Sequence, residues 1–292
     1  MSAAEPLAGP AARLGDRSES LPLAALLAAM LSVQLGAGFA KRLFPEFGVE
    51  LTTELRLAVG AMLMLPLLRP WRLRLPWRAW PSIVLFGAVI GSMNLVFYLA
   101  VQRIPLGIAV ALEFTGPLAL AALTSRRALH LVWVGLAAAG VLLLLPLSHF
   151  AQALDNAGVL LALGAGALWA LYTLLAQRIG GAWGTPTIAL AISIGAVVLL
   201  PVTLVRSHHF VFTPGRMGEA LAVGLFSSAL PFSLEMFALT RMSTRVYGTL
   251  TSLEPAVGAL MGFLVLHELP TALQLAGIAA VMAASVGTAA AS

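Results

Sequence analysis

Long apolar runs, separated by short clusters of Arg, Pro, Gly, Asn and Asp, pattern the chain after its first 20 residues. The runs fall at 21–40, 51–68, 80–101, 106–124, 129–147, 157–176, 186–205, 219–239, 246–266 and 269–289. Each is close to the ~20 residues with which an α-helix crosses a bilayer core. None alternates apolar and polar positions over about ten residues, as barrel strands do. No segment between runs is long enough for a separate domain. The pattern predicts an all-α, polytopic membrane protein with ten transmembrane helices. The tail over 1–20 is polar and mixed in charge, with Pro6 and Pro10. The run from Leu21 is longer than the apolar core of a cleaved signal and reads as a retained span.

Composition agrees and narrows the class. The 292 residues are 60% hydrophobic and only 10% charged, against about 25% charged in soluble domains. That excludes a soluble enzyme and a disordered chain. The absence of cysteine excludes disulfides, thiol redox chemistry and zinc–thiolate sites. A net charge of +5 would suggest nucleic acid in a soluble protein, but here the basic residues lie between apolar runs and mark sidedness. Arg13, Arg17, Arg69, Arg72, Arg74, Arg78, Arg126, Arg127, Arg178, Arg241 and Arg245 fall on the side of the N-terminus; Lys41, Arg42, Arg103, Arg206 and Arg216 fall opposite. Both termini are therefore expected in the cytoplasm. Trp71, Trp77 and Trp80 flank the most basic connection, as interfacial tryptophans do.

An internal repeat adds organisation. Without gaps, Arg103 aligns with Arg241 and Pro117 with Pro255, both at an offset of 138 residues; Gly135 meets Gly277 at 142, and Lys41-Arg42 meets Gln177-Arg178 at 136. This ordered set predicts two homologous halves, 21–147 and 157–289, beyond a cytoplasmic tail over 1–20. Five spans is an odd number, so the second half must be inverted in the membrane.

Charged groups inside spans are costly and are candidates for function. Glu113, Glu235 and Glu254 are such groups, and Glu113 and Glu254 lie beside Pro117 and Pro255. A proline offers no N–H to the carbonyl four residues back, so each half is expected to carry a helix break at matching depth. Ser227, Pro231 and Glu235 share a helical face. Glu54 and Arg56, near the start of their span, read as a structural ion pair, as groups that snorkel to the interface, or with Arg56 balancing a buried glutamate. Asn94 and Tyr98 share one face of the third span, Trp169 and Tyr172 one face of the sixth, and Gln34 lies in the first. Such a mixture suits a cavity for a small solute with polar and apolar parts, though the same groups also serve helix–helix packing.

Absences decide the mechanism class. There is no phosphate-binding G-x-x-x-x-G-K-[ST] loop, and His267-Glu268 lacks the second histidine of a zinc protease motif. His130, His149, His208, His209 and His267 all fall in loops or at span ends. No nucleophile–base or metal constellation lies at bilayer depth, so no metal or cofactor is expected and secondary or passive transport survives. An intramembrane enzyme or a structural membrane partner is the alternative from another class.

Several stretches carry a family resemblance. They are I-P-L-G-I-A-V-A-L-E-F-T-G-P-L-A at Ile104–Ala119 with S-R-R at Ser125–Arg127, L-A-L-G-A-G-A-L-W-A at Leu161–Ala170, A-L-P-F-S-L-E-M-F-A-L-T-R at Ala229–Arg241, T-R-V-Y-G-T-L-T-S-L-E-P-A at Thr244–Ala256, and L-H-E at Leu266–Glu268. The chain resembles the ten-span branch of the drug/metabolite transporter superfamily, and within it the bacterial threonine/homoserine exporters of the inner membrane. Arg126 stands where alignment with Glu268 would favour an acid, a feature that the threonine/homoserine type shares. The resemblance implies ten transmembrane helices as two inverted five-helix repeats, and export of small amino acids by alternating access from a monomer. It carries over Glu113, Pro117, Glu235, Glu254 and Pro255 as family-pattern residues and Trp169 with Tyr172 as cavity candidates. With Gln34, Asn94 and Tyr98 from the residue pattern, the expected substrate contacts are Gln34, Asn94, Tyr98, Glu113, Trp169, Tyr172, Glu235 and Glu254, with Pro117 and Pro255 at helix breaks. No nucleic acid partner is implied. If export is coupled to protons, a buried glutamate is the natural carrier; facilitated diffusion is equally open. Export of aromatic amino acids or drugs is the alternative within the fold.

Overall fold

The computed structural model describes residues 12–124, 129–144, 155–184, 186–206, 214–239, 241–242, 247 and 250–291. Arg126, Arg127, His149, His208, His209, Arg245 and the first 11 residues lie outside them. The described residues are mostly helical, with no strand among them. Helix α1 (Ala12–Leu68) is followed by two short 3-10 turns, Pro70–Arg72 and Trp77–Ala79. Then come α2 (Trp80–Arg103), α3 (Leu106–Thr124), α4 (Leu129–Leu144), α5 (Asn156–Trp183) and α6 (Pro186–Arg206). Helix α7 (Pro214–Gly224) continues through a widened π turn, Leu225–Ala229, into α8 (Leu230–Leu239); α9 (Glu254–Leu266) and α10 (Ala272–Ala291) complete the chain. Leu21–Leu68, Trp77–Arg103, Asn156–Trp183 and Pro186–Arg206 are long and apolar enough to cross a membrane, and shorter apolar helices accompany them.

One expectation about the first runs needs correction. The helix that carries the apolar run from Leu21 starts at Ala12, and no loop separates that run from the second. The helix continues through Lys41–Phe47 because Phe44 and Phe47 bury their rings there, so the segment has its own apolar face. The chain turns only at Gly48, with φ 74° and ψ 160°, a region of backbone space essentially reserved for glycine. Helix α1 is thus two limbs, 12–47 and 49–68.

Helix ends follow local chemistry. Ile104 is extended before Pro105, which stops α2, since the residue before proline is pushed out of the helical region. Asp155 caps α5 by accepting the Ala157 N–H at 2.8 Å and also accepts from Arg103 Nη1 at 2.9 Å. Those two donors, Arg103 first, hold the exposed Asp155 carboxyl below the usual aspartate range. Its contribution to stability is therefore present above the ordinary aspartate pKa and lost as pH falls through the lowered value. Asp155→Ala is expected to lower the melting temperature of the detergent-solubilised protein at pH 7, and Asp155→Asn to do so less, because asparagine caps equally well. Equal effects of the two would remove the cap from this account. Helix α9 closes at His267 in the left-handed region, with Glu268 N–H reaching the Gly262 carbonyl in a Schellman-type turn.

Packing brings α2 against α5 and α6, α3 against α5 and α9, and α4 against α10, while α1 runs along α6, α7, α8 and α9. The contacts are made over small residues, the usual solution where lipid gives helices no hydrophobic reason to associate. Outer faces carry exposed Leu63, Leu123, Leu160, Val197 and Val205, and Trp71, Trp77 and Trp80 stand exposed beside the basic connection. A surface of that kind suits hydrocarbon rather than water.

Lys41, which the sequence places in a basic loop, sits instead in a polar knot at one end of the bundle. Its Nζ donates to Glu268 Oε1 at 2.7 Å and to the Ile104 carbonyl at 2.9 Å. Glu268 Oε2 accepts the first helical N–H of α3, Leu106, at 2.8 Å, and Arg42 donates to the Val265 carbonyl. Four elements (α1, α2, α3 and α9) are tied together there, around buried Phe44, Leu106 and Val265.

Candidate functional site

A cavity of about 150 Å³ lies among α1, α2, α3, α5, α8 and α9. The first limb of α1 contributes Leu26, Met30, Val33 and Gln34, and the second limb contributes Arg56. Asn94 and Phe97 enter from α2, Glu113 from α3, and Trp169 and Tyr172 from α5. Ser227 of the π turn, Pro231, Phe232 and Glu235 of α8, and Glu254 of α9 complete its polar side. Both halves of the sequence therefore line one space.

Seven of the eight residues predicted to contact substrate are brought together in that lining: Gln34, Asn94, Glu113, Trp169, Tyr172, Glu235 and Glu254. Tyr98 is not. Its ring is fully buried behind the cavity, packed on Phe44 and Phe97 with centroids at 5.4 and 6.0 Å. One helical turn separates it from Asn94, but α2 turns Asn94 to the cavity and Tyr98 to the core. Asn94 also donates to the Ile90 carbonyl at 2.8 Å. Aromatic contacts fix the α5 wall: Trp169 meets Phe114 edge-on at 5.4 Å, and Tyr172 stacks on Phe86 at 5.5 Å. Glu235 accepts a hydrogen bond from the Tyr247 hydroxyl.

The two prolines behave differently. Pro255 stands in the first turn of α9, just after a tight turn at Ser252–Leu253 that interrupts the helix. Pro117 does not interrupt α3, which runs through it. The Glu113 carbonyl, to which Pro117 offers no N–H, lies against α5: a Cβ on Gly166 would stand 2.5 Å from it. Close packing on a neighbouring helix lets a membrane helix keep an internal proline. The ion pair considered between Glu54 and Arg56 does not form. The ion pairs among the described residues are Lys41–Glu268 and Arg103–Asp155. Two residues apart on a helix, Glu54 and Arg56 point to different sides. Arg56 enters the cavity, while Glu54 Oε2 is buried with no hydrogen-bond partner among the described residues.

Residues 156–290 match the EamA-like transporter family. The threonine/homoserine exporter RhtA of Escherichia coli K12 is 46% identical over 268 residues, which are 92% of this chain and 91% of that protein. This chain belongs to the EamA-like transporter family. Among other relatives, RhtA of Salmonella typhimurium LT2 is 45% identical over the same shares. The uncharacterized transporter YwfM of Bacillus subtilis 168 is 30% identical over 258 residues, 84% of this chain and 86% of that one. A solved crystal structure covering 90% of this chain and 96% of its own superposes with a TM-score of 0.64 at 18% identity, a likeness of fold alone. As an EamA-like transporter, and so a member of the drug/metabolite transporter superfamily, the chain is a membrane transporter and not an enzyme.

Sequence reasoning missed the apolar part of this EamA-like cavity. Met30, Val33, Met93 and Phe232 carry no signal separating them from the many apolar side chains that face lipid or core. Arg56 was visible as an intramembrane charge, but only the fold shows which way it points.

Proposed function

We propose that this EamA-like transporter exports small zwitterionic amino acids, threonine and homoserine first, across the bacterial inner membrane by alternating access. In this reading ten helices span the membrane as two inverted repeats of five, completing the fold in a monomer with both termini cytoplasmic. The observation that carries it is the cavity: three carboxyls, one guanidinium, two side-chain amides and an aromatic wall in about 150 Å³. That is smaller than the roughly 300–1,000 Å³ of pockets for drug-sized ligands, which favours a small amino acid over a drug. The substrate ammonium is assigned to the carboxyls of Glu113, Glu235 and Glu254.

Helix contacts support the repeat. Counterpart spans touch as α3 with α9 and α4 with α10. A Cβ on Gly140 would meet the Gly277 carbonyl oxygen at 2.9 Å, and one on Gly277 would meet the Gly140 oxygen at the same distance. Both distances mark a close crossing of α4 and α10 over small residues.

The test is counterflow of labelled threonine in proteoliposomes, with homoserine, phenylalanine and a lipophilic cation as competitors. Homoserine is expected to compete and the cation not to. Glu113→Gln and Glu254→Gln are each expected to slow counterflow by about tenfold or more, as for intramembrane acids that mark a substrate pathway. Unchanged counterflow in both variants removes the acidic site, and strong competition by phenylalanine or the cation favours the aromatic or drug reading.

A further inference from the structure

Arg56 is 7% exposed, lines the cavity, and has no carboxylate within ion-pair distance among the described residues. Glu113 of the same cavity lies near enough for Coulombic attraction but not for an ion pair. Burying a guanidinium without a paired anion is costly, so its placement needs a reason. Two contacts fix it from behind. Its Nε donates to the Ser228 hydroxyl of the π turn at 3.2 Å, and its Cζ lies 5.2 Å from the centroid of the Tyr98 ring. A guanidinium carries five N–H donors. The Nε–H is used by Ser228, which leaves the two terminal nitrogens as a planar fork. That fork matches a carboxylate through two parallel hydrogen bonds.

We propose that Arg56 is the receptor for the α-carboxylate of the transported amino acid, with Tyr98 and Ser228 as positioning residues that hold its guanidinium. This rests on the amino-acid export reading above and adds the second pole of the substrate. Glu113, Glu235 and Glu254 offer negative charge to an ammonium, and Arg56 offers positive charge to a carboxylate across the same 150 Å³. A site with both poles selects zwitterions. It discriminates against amines without a carboxylate, whose binding leaves the fork unpaired. Tyr98, predicted from the sequence to touch substrate, acts in this account one layer back. The widened turn presents Ser228 to Arg56 while Ser32 of α1 donates to its Phe226 carbonyl at 2.7 Å.

The experiment compares L-threonine with L-threoninol, in which a hydroxymethyl group replaces the carboxylate, as competitors of labelled threonine counterflow by the purified full-length protein. The wild type is expected to prefer threonine by about tenfold or more. Arg56→Gln is expected to weaken threonine by a similar factor while leaving threoninol within about twofold, so that the preference collapses. Ser228→Ala is expected to narrow the preference in the same sense with Arg56 still in place. Where Arg56→Gln does not yield folded protein, Arg56→Lys keeps the charge, loses the fork and is expected to reduce the preference severalfold. Equal weakening of both ligands, or unchanged threonine affinity, overturns the proposal. A wild type that exchanges threonine and threoninol alike overturns it while leaving a transporter of small amines standing. No wild-type threonine counterflow overturns the export reading, and this proposal with it.

Discussion

Gly116→Ala is expected to abolish recovery of folded protein. A Cβ there would stand 1.9 Å from the Gly166 carbonyl oxygen, 2.3 Å from its carbon and 2.8 Å from its Cα. All three obstacles are backbone, so no side-chain rotation relieves them. Adding a methylene to a packed core costs about 1–3 kcal/mol when side chains can shift. Here α3 and α5 must separate instead, which puts the cost at or above the top of that range. Their separation also draws Glu113 away from Trp169 and Tyr172, so any protein that survives should transport poorly. The measurement is the yield of monodisperse protein after detergent extraction and its melting temperature. Gly135→Ala and Gly180→Ala are the controls, because nothing lies within 4 Å of a Cβ at either position. Both are expected to be neutral or to stabilise by up to about 1 kcal/mol, the helix-propensity difference between glycine and alanine. A normal yield and melting temperature for Gly116→Ala would contradict the close crossing of α3 and α5.

Glu268→Ala is expected to be the most destabilising change outside the helix crossings. It strips Lys41 of its anion and the first turn of α3 of its acceptor. The two side chains are only 17% and 21% exposed. Removing one member of a buried pair costs about 3–5 kcal/mol, and this partly wet site belongs at the lower end of that range. Lys41→Met should cost less, because Glu268 keeps the Leu106 N–H, and Glu268→Gln less again, because an amide oxygen still accepts it. A double-mutant cycle between Lys41→Met and Glu268→Ala is expected to return a coupling above about 1 kcal/mol. Melting curves within error of wild type for Glu268→Ala would reduce the knot to a surface contact.

Much of the fold is legible because bilayer physics leaves few choices. A run such as 106–124 must satisfy its own backbone, and α3 occupies that span. What misleads is a charge: Lys41 and Arg42 read as a loop, yet the helix passes through them because Phe44 and Phe47 supply an apolar face. The site is legible where a residue is anomalous for its surroundings. Glu113, Glu235 and Glu254 are costly in a membrane and so stand out, and the fold gathers them in one cavity. Tyr98 and Asn94 show the limit. Both are polar and on the same helical face, and only the packing of neighbouring elements, Phe44 of α1 among them, separates a cavity residue from a core one. The π turn has no sequence signal beyond Ser227, Ser228 and Pro231, whose types suit an ordinary kinked helix as well.

The bend at Gly48 bears on how such a cavity can change width. Leu26, Met30 and Gln34 ride on one limb of α1 and Arg56 on the other, and the two limbs meet at one residue. Two parts of the cavity lining are thus the two arms of a caliper whose pivot is a pair of torsion angles. A rotation at that pivot moves both parts together without breaking a helix, and any residue with a side chain would lock the caliper at another setting.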